Sequence, residues 1–437
     1  MAVIAKNCPE LDIKIVDINA NRINLWNSND LNYLPVFEPG LSEIIKSVRD
    51  KNLFFSINVE EAIREADMIF ISVNTPIKQK GLGAGETSDL RWVESCARQI
   101  SKIAVGHTIV VEKSTLPVKT AKTIKDILSS SIKNNQDDKS FTVLSNPEFL
   151  AEGSAIEDLE NPDRVLIGGD DIKSMEELKK IYLNWVPNKK IIFTNLWSSE
   201  LSKLSANAFL AQRVSSINSI SAICEVTGAN INEVSHAVGL DSRIGSKFLK
   251  SGPGFGGSCF KKDILNLVYL SKYYGLNEVA NFWKNVVEIN EWQQKRIYKE
   301  IVKRLYGNLA DKKIAILGFS FKENTNDTRE SPAISICNNL INEGAFLSIH
   351  DEIVKPSTIE KDLHQAERNL ENTNNKIHEW EYQFDIYKCF SDADAAIFLT
   401  DMPIYKNLDW QKISSIIKNP FWVFDTRSIL DYEYIKE

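Results

Sequence analysis

Short apolar runs separated by helix-length patterns set the strongest limit on what this chain can fold into. Ile13-Lys14-Ile15-Val16, Met68 to Ser72, Thr108 to Glu112, Phe141 to Leu144, Val165 to Ile167 and Ile191 to Thr194 read as strands, with Val59 to Ala66 and Leu90 to Ile103 between them as helices. Strand, helix, strand in this rhythm predicts a mostly parallel sheet covered on both faces. From Ser198 to about Tyr306 the rhythm stops, and helical patterns take over across Glu200 to Val226, Ile231 to Val238 and Val279 to Leu305. Strands return at Lys313 to Gly318, Phe346 to His350, Ala395 to Thr400 and Trp422 to Asp425. At 437 residues the chain has material for about three units of roughly 150 residues each.

The first strand ends in Asp17, as the second strand of a dinucleotide-binding βαβ unit does. Such a unit needs an earlier strand and a Gly-rich turn, yet no glycine precedes Gly40 and Met1 to Ala5 read as the tail of a helix. The expectation is a chain that begins inside the first helix. The fold class expected is α/β, with two Rossmann-like domains over 1–194 and 307–437 joined by a helical domain over 195–306. Ser129 to Ser140 and Glu371 to Lys376 read as surface loops, and Lys78 to Thr87, with three glycines, as a mobile one.

Charged residues make up 25% of the chain and the net charge is −7, so no basic footprint points to nucleic acid or to an anionic membrane. Small anionic ligands stay open through local clusters. No apolar run reaches spanning length, and Lys6, Pro9 and Glu10 interrupt what a signal peptide would need. Cys8, Cys96, Cys224, Cys259, Cys337 and Cys389 form no CxxC and no paired spacing, which argues against a zinc site or a disulfide framework and for reduced thiols in the cytoplasm. None of the five histidines falls into a metal-ligand pattern, so no metal is expected.

Gly252-Pro253-Gly254-Phe255-Gly256-Gly257-Ser258-Cys259-Phe260-Lys261-Lys262-Asp263 puts a cysteine directly after a glycine-rich loop. The apolar run from Ile264 predicts a helix starting near Ser258. Cys259 would then sit in its first turn, where unpaired N–H groups and the helix dipole favour a thiolate, with Asp263 at i+4 on the same face. Two readings stand: a nucleophile with its helper, or a small buried hydrophobe. Gly252, Gly254 and Gly257 match GxGxxG, but the flank Ile244 to Ser251 is basic and helical, so the dinucleotide reading of this loop is rejected.

Lys203 and Asn207 lie at i and i+4 on one helix among Leu204, Ala206, Ala208, Phe209 and Leu210, neighbours that leave few solvated positions and favour a pocket lining over a solvated pair. Aligned cationic and amide donors are what a developing oxyanion needs. Ser145-Asn146-Pro147-Glu148-Phe149-Leu150-Ala151-Glu152-Gly153, Val73-Asn74-Thr75-Pro76 and Lys113-Ser114-Thr115-Leu116-Pro117 all follow strands, at the carboxyl edge where α/β proteins bind ligands. In the last unit, Gly318-Phe319-Ser320-Phe321-Lys322 replaces a phosphate-cradling loop with two phenylalanines, so a second dinucleotide site is doubtful there. Phe321 suits stacking on a base or sugar and Lys322 a phosphate, while Arg329 and Arg427 read equally as ligands or surface charge.

Together these strings resemble the UDP-glucose 6-dehydrogenases of animals and plants, within the UDP-glucose/GDP-mannose dehydrogenase family. The most specific are Gly254 to Phe260, Asn146 to Gly153, Trp197 to Leu204, Asn207 to Arg213 and Asp327-Thr328-Arg329-Glu330-Ser331. The resemblance implies an NAD-binding Rossmann domain, a helical dimerisation domain and a UDP-binding domain. It also implies a four-electron oxidation of UDP-glucose to UDP-glucuronate through a thiohemiacetal and a thioester on Cys259. Lys203 and Asn207 would stabilise oxyanions, Asp263 with Thr115 would activate water, and Glu148 would be the acid/base. For NAD the matching residues are Asp17, Arg22, Val73, Asn74, Thr75, Pro76, Ser114, Thr115, Glu152 and Arg329. For UDP-glucose they are Glu148, Phe149, Leu150, Ala151, Glu152, Lys203, Asn207, Lys250, Gly254, Phe255, Gly256, Phe321, Lys322 and Arg427. Arg243 matches a residue inserted into a neighbour's site, implying a homo-oligomer, dimer or hexamer, with neither nucleic acid nor membrane as partner. The missing strand and Gly-rich loop leave an alternative, a non-catalytic subunit that holds UDP-sugar or serves assembly.

Overall fold

The computed structural model describes residues 1–114, 118–132, 139–367, 379–431 and 435. Its strands are β1 (Ile13–Val16), β2 (Leu53–Ser56), β3 (Met68–Ile71), β4 (His107–Glu112), β5 (Ser140–Ser145), β6 (Val165–Gly168), β7 (Ile191–Thr194), β8 (Lys313–Leu317), β9 (Phe346–His350), β10 (Trp380–Tyr382), β11 (Ala395–Phe398) and β12 (Trp422–Asp425). They form a two-stranded sheet, β1-β2, and two five-stranded sheets ordered β3-β4-β5-β6-β7 and β10-β9-β8-β11-β12. The ladders are parallel apart from the β5–β6 junction, where Ser145 opposes Gly168 in the antiparallel sense. The α/β class expected from the apolar rhythm is present. The chain divides into two compact units, Met1–Ala206 with Leu265–Ala280, and Asn207–Ile264 with Asn281–Glu437.

In the second unit both faces of the sheet are buried, which is why its strands read as unbroken apolar runs. Ile314 and Ile316 of β8 and Ala395 and Ile397 of β11 pack with Ile336 and Leu340 on one face. The alternate residues, Ala315, Leu317, Ala396 and Phe398, pack with Phe390 and Tyr405 on the other. This is the period-two signature of a parallel sheet between helical layers. In the first unit, Val110 and Val143 face Ala97, Ile124 and Leu128, whereas Ile109, Val111 and Leu144 face Met175, Leu178 and Tyr182.

The amino-terminal helix Ala2–Asn7 buries Val3, Ile4 and Ala5 against β1, β2 and the helix Leu41–Val48. Strand β2, which the apolar rhythm did not disclose, follows a turn with Asp50 at φ +61. Asn52 pins that turn, its Nδ2 donating to the carbonyls of Ala5 and Cys8. Among the described residues β1 pairs with β2 and β3 with β4, so the two ladders of this unit are separate.

Lys78 to Thr87, expected to be a mobile loop, is closed by hydrogen bonds. The Lys78 N–H donates to Thr87 O and the Ser88 N–H to Asn266 Oδ1 at 3.0 Å. Of the stretch Ser129 to Ser140, residues 133–138 lie outside the described residues, as does all of Glu371 to Lys376. No helix among the described residues is long and apolar enough to cross a membrane.

Candidate active site

The helix after the glycine loop runs over Phe260–Tyr273. Cys259 is the residue before it, and its carbonyl accepts the Asp263 N–H at 2.9 Å, so it holds the N-cap position, one step ahead of the first turn foreseen for it. Its side chain is exposed, with Sγ 3.6 Å from Ser258 Oγ; the buried-hydrophobe reading fails. Asp263 is the opposite case, 0% exposed. Burying a carboxylate is costly unless donors meet it, and Asn207 Nδ2 donates to Asp263 Oδ2 at 2.6 Å. Asn207 sits one turn beyond Lys203 on the helix Leu196–Thr227.

Three amide side chains hold the backbone of the loop. Asn218 Oδ1 accepts the Gly252 N–H at 2.8 Å and Gln293 Nε2 donates to Gly252 O at 2.9 Å. Asn290 reads Phe255 from both sides, Oδ1 accepting its N–H at 2.7 Å and Nδ2 donating to its carbonyl at 3.0 Å. Gly254 lies at φ +120, and a Cβ there would stand 2.7 Å from that same Asn290 Oδ1. A Cβ on Gly256 would stand 2.6 Å from the Glu330 carbonyl oxygen and 2.8 Å from Phe321 Cβ. Gly256→Ala is therefore expected to destabilise the protein by about 1–3 kcal/mol, read as a lower urea midpoint with unchanged slope. The loop's other anchor is the Gly257 N–H donating to Arg329 O at 2.8 Å.

Arg427 is turned inward, its Nε donating to Leu399 O at 2.7 Å and its Nη2 to Phe321 O at 3.1 Å. Burial works against its charge, and Asp401 and Asp425 support it. Asp401 also takes an ion pair from Lys250 at 3.0 Å; burial would raise its carboxyl, but Arg427 and Lys250 hold it below the usual range. Lys322 Nζ lies 5.7 Å from the centre of the Phe321 ring. Asp351, which follows β9 as Asp17 follows β1, accepts four backbone N–H groups, from Phe319, Ser320, Ile353 and Val354. A carboxylate so engaged has nothing left for a ribose, which gives the doubt about a second dinucleotide site a physical reason. Arg329 is exposed and forked onto Asp327, and Arg243 is exposed and forked onto Asp241.

In the first unit, Asp17 stands at the carboxyl end of β1 with Arg22 Nη1 3.8 Å from its Oδ2. Ser114 Oγ donates to Val73 O at 2.8 Å, tying the carboxyl ends of β3 and β4 together. Thr75 is buried beside the exposed Asn74 and Pro76. Thr115 lies outside the described residues. Glu148 is exposed, Leu150 and Glu152 are half-buried, and Ala151 donates its N–H to Asp158 Oδ2. The Phe149 ring is a cation platform, with the Arg164 guanidinium 3.8 Å and Lys203 Nζ 5.5 Å from its centre. Arg164, Asn218, Asn290 and Gln293 escaped the reading of the sequence; the amides stand on helices whose neighbouring residues give no local sign of the backbone groups they bind.

Residues 1–186 match the NAD binding domain of the UDP-glucose/GDP-mannose dehydrogenase family, residues 197–292 its central domain and residues 315–432 its UDP binding domain. The chain belongs to that family. This family member is an NAD-dependent oxidoreductase. It is 50% identical over 448 aligned positions to UDP-glucose 6-dehydrogenase 4 of Arabidopsis thaliana, covering 100% of this chain and 92% of that protein. It is 49% identical, at the same coverage, to UDP-glucose 6-dehydrogenase 5 of Oryza sativa subsp. japonica. Among solved structures, a UDP-glucose dehydrogenase from Pyrobaculum islandicum superposes with a TM-score of 0.81 at 29% identity, over 98% of this chain and 92% of that one.

Proposed function

We propose that this dehydrogenase oxidises the C6 alcohol of UDP-glucose to the carboxylate of UDP-glucuronate, four electrons in all, through a thioester on Cys259. The observation that carries the reading is the exposed Cys259 thiol at a helix N-cap, one turn from the buried Asn207–Asp263 pair. The UDP-glucose 6-dehydrogenases that share half its sequence support UDP-glucose as the substrate.

For NAD, the partly exposed carboxylate of Asp17, with one oxygen on the Asn19 N–H and Arg22 beside the other, suits the adenosine ribose, and the edge formed by Val73 to Pro76 and Ser114 suits the nicotinamide end. Thr115, Glu152 and Arg329 complete the set by their match to the family. When bound, NAD accepts a hydride at each of the two oxidations. Cys259 Sγ adds to the aldehyde carbon, the oxygen takes up a proton, and the thiohemiacetal so formed is oxidised to a thioester. Water then adds to the thioester carbon and the thiolate leaves, freeing the acid. Lys203 and Asn207 donate to the oxygen as charge builds on it, a role in which one donor is worth about 10²–10³ in rate. Asp263 and Thr115 position the water, and Glu148 relays protons. Phe149 to Glu152, Lys250, Gly254 to Gly256, Phe321, Lys322 and Arg427 hold the nucleotide sugar. Arg243, exposed and presented by Asp241, reaches a neighbouring subunit in a cytoplasmic homo-oligomer.

Turnover of UDP-glucose, UDP-N-acetylmannosamine and GDP-mannose tests the substrate. The expected kcat/KM for UDP-glucose exceeds the others by about 10² or more, because unpaired polar groups in a site built for one sugar penalise the others. Comparable turnover of either alternative would reassign it.

A further inference from the structure

Two glutamates in the first unit face each other in the core, and the mechanism above uses neither. Glu112 ends β4 and is 2% exposed; Glu200, on the helix Leu196–Thr227, is 3% exposed. Glu200 Oε2 accepts the Lys119 N–H at 2.7 Å and its Oε1 the Ala121 N–H at 2.8 Å, at the start of the helix Thr120–Ile132. Those donors and the positive end of the helix dipole make Glu200 the natural anion. Glu112 has no such support. Its Oε2 is buried with no donor in reach among the described residues, and what its carboxyl meets is the carboxyl of Glu200. Two carboxyl groups hold contact in a core only with a proton between them.

We propose that Glu112 and Glu200 share one proton, carried on Glu112, and that this acid–carboxylate bridge is a positioning element. It ties the strand leading into Lys113 and Ser114 to the N-terminus of the Thr120–Ile132 helix and to the helix that bears Lys203, one turn beyond Glu200. Burial and the Glu200 charge both push the Glu112 carboxyl well above its usual range, and burial raises Glu200 as well. The cations on the same elements are engaged elsewhere. Lys113 Nζ binds Asn146 Oδ1 and Tyr182 OH, Lys119 Nζ lies over the Tyr274 ring, Lys203 Nζ over Phe149, and Lys125 pairs with Asp170. Lys122 is exposed, and His107, at the far end of β4, bonds Ser140 Oγ.

A carboxyl raised in the folded state binds its proton more tightly there than in the unfolded chain. Its contribution is complete below the unfolded value of about 4.3 and is lost as pH rises towards the folded value. Glu112→Gln keeps an N–H donor towards Glu200 but cannot ionise. The melting temperature of Glu112→Gln minus that of the wild type should therefore grow more positive between pH 5 and pH 8. Infrared spectra of the wild type at pH 8 should contain the carbonyl stretch of an un-ionised carboxylic acid, absent from Glu112→Gln. In Glu200→Gln, with the neighbouring charge that raises Glu112 removed, that band should be lost at lower pH than in the wild type. Activity gives a third arm, which rests on the role assigned to Lys203: Glu112→Ala lowers kcat about tenfold by misplacing it, and Glu112→Gln restores most of the loss. No protonated-acid band in the wild type, together with a melting difference that is flat or falls with pH, would overturn the shared proton whatever the activity shows. An intact band with no kcat loss in Glu112→Ala would overturn only the positioning role.

Discussion

Replacing Cys259 by alanine is expected to cut UDP-glucuronate production by at least about 10³-fold, the scale of losing a covalent nucleophile, with no measurable loss of stability. The second half follows from exposure: the side chain sits on the surface, with Ser258 Oγ at 3.6 Å as its one side-chain hydrogen-bond contact among the described residues. Deleting such a group leaves no cavity and orphans no donor. The backbone carbonyl of residue 259, which accepts the Asp263 N–H, is kept. The two effects separate because they reside in different atoms. A variant that melts with the wild type but releases no acid assigns the loss to chemistry. One that retains a tenth of the activity removes Cys259 from the reaction.

Asp263→Asn should be nearly as damaging, about 10²–10⁴-fold in turnover, and by a different route. The asparagine keeps a partner for Asn207 Nδ2, so the buried contact at 2.6 Å survives while the negative charge that activates water is gone. Oxidation up to the thioester needs no such water. The variant should stall as a covalent adduct, seen as an increase in intact mass of one sugar nucleotide per chain that disappears when Cys259 is also replaced. Asp263→Ala adds a structural penalty of about 1–3 kcal/mol, because the buried hydrogen bond from Asn207, 6% exposed, to the Asp263 carboxylate is lost. Slow turnover with no adduct would make Asp263 a structural residue alone.

The fold was legible where local physics and tertiary burial agree. Ile314 to Leu317 and Ala395 to Phe398 are apolar at every position because both faces of their sheet are covered, and that pattern shows in the sequence without help. Strand β2 was missed because Leu53-Phe54-Phe55-Ser56 is four residues long and is held by Asn52, whose partners lie more than forty positions away. Strand β10 is three residues of mixed polarity at a sheet edge, below what a period-two pattern can reveal.

The site divides in the same way. Cys259 and Asp263 stand on one turn, so their spacing announced them. The amides that hold the loop beneath them act on backbone atoms 34 to 41 residues distant. A helical Asn or Gln gives no local sign of such a partner. Glu112 was hidden for a related reason, since a carboxylate closing a strand reads as solvent-facing until the opposing helix places Glu200 against it.

The most direct test is stoichiometric: with limiting UDP-glucose and excess NAD, count the NADH formed as every sugar is consumed, and identify the product. The thioester route predicts two NADH per UDP-glucose and UDP-glucuronate as the released product. One NADH per sugar, with an aldehyde released, would contradict it.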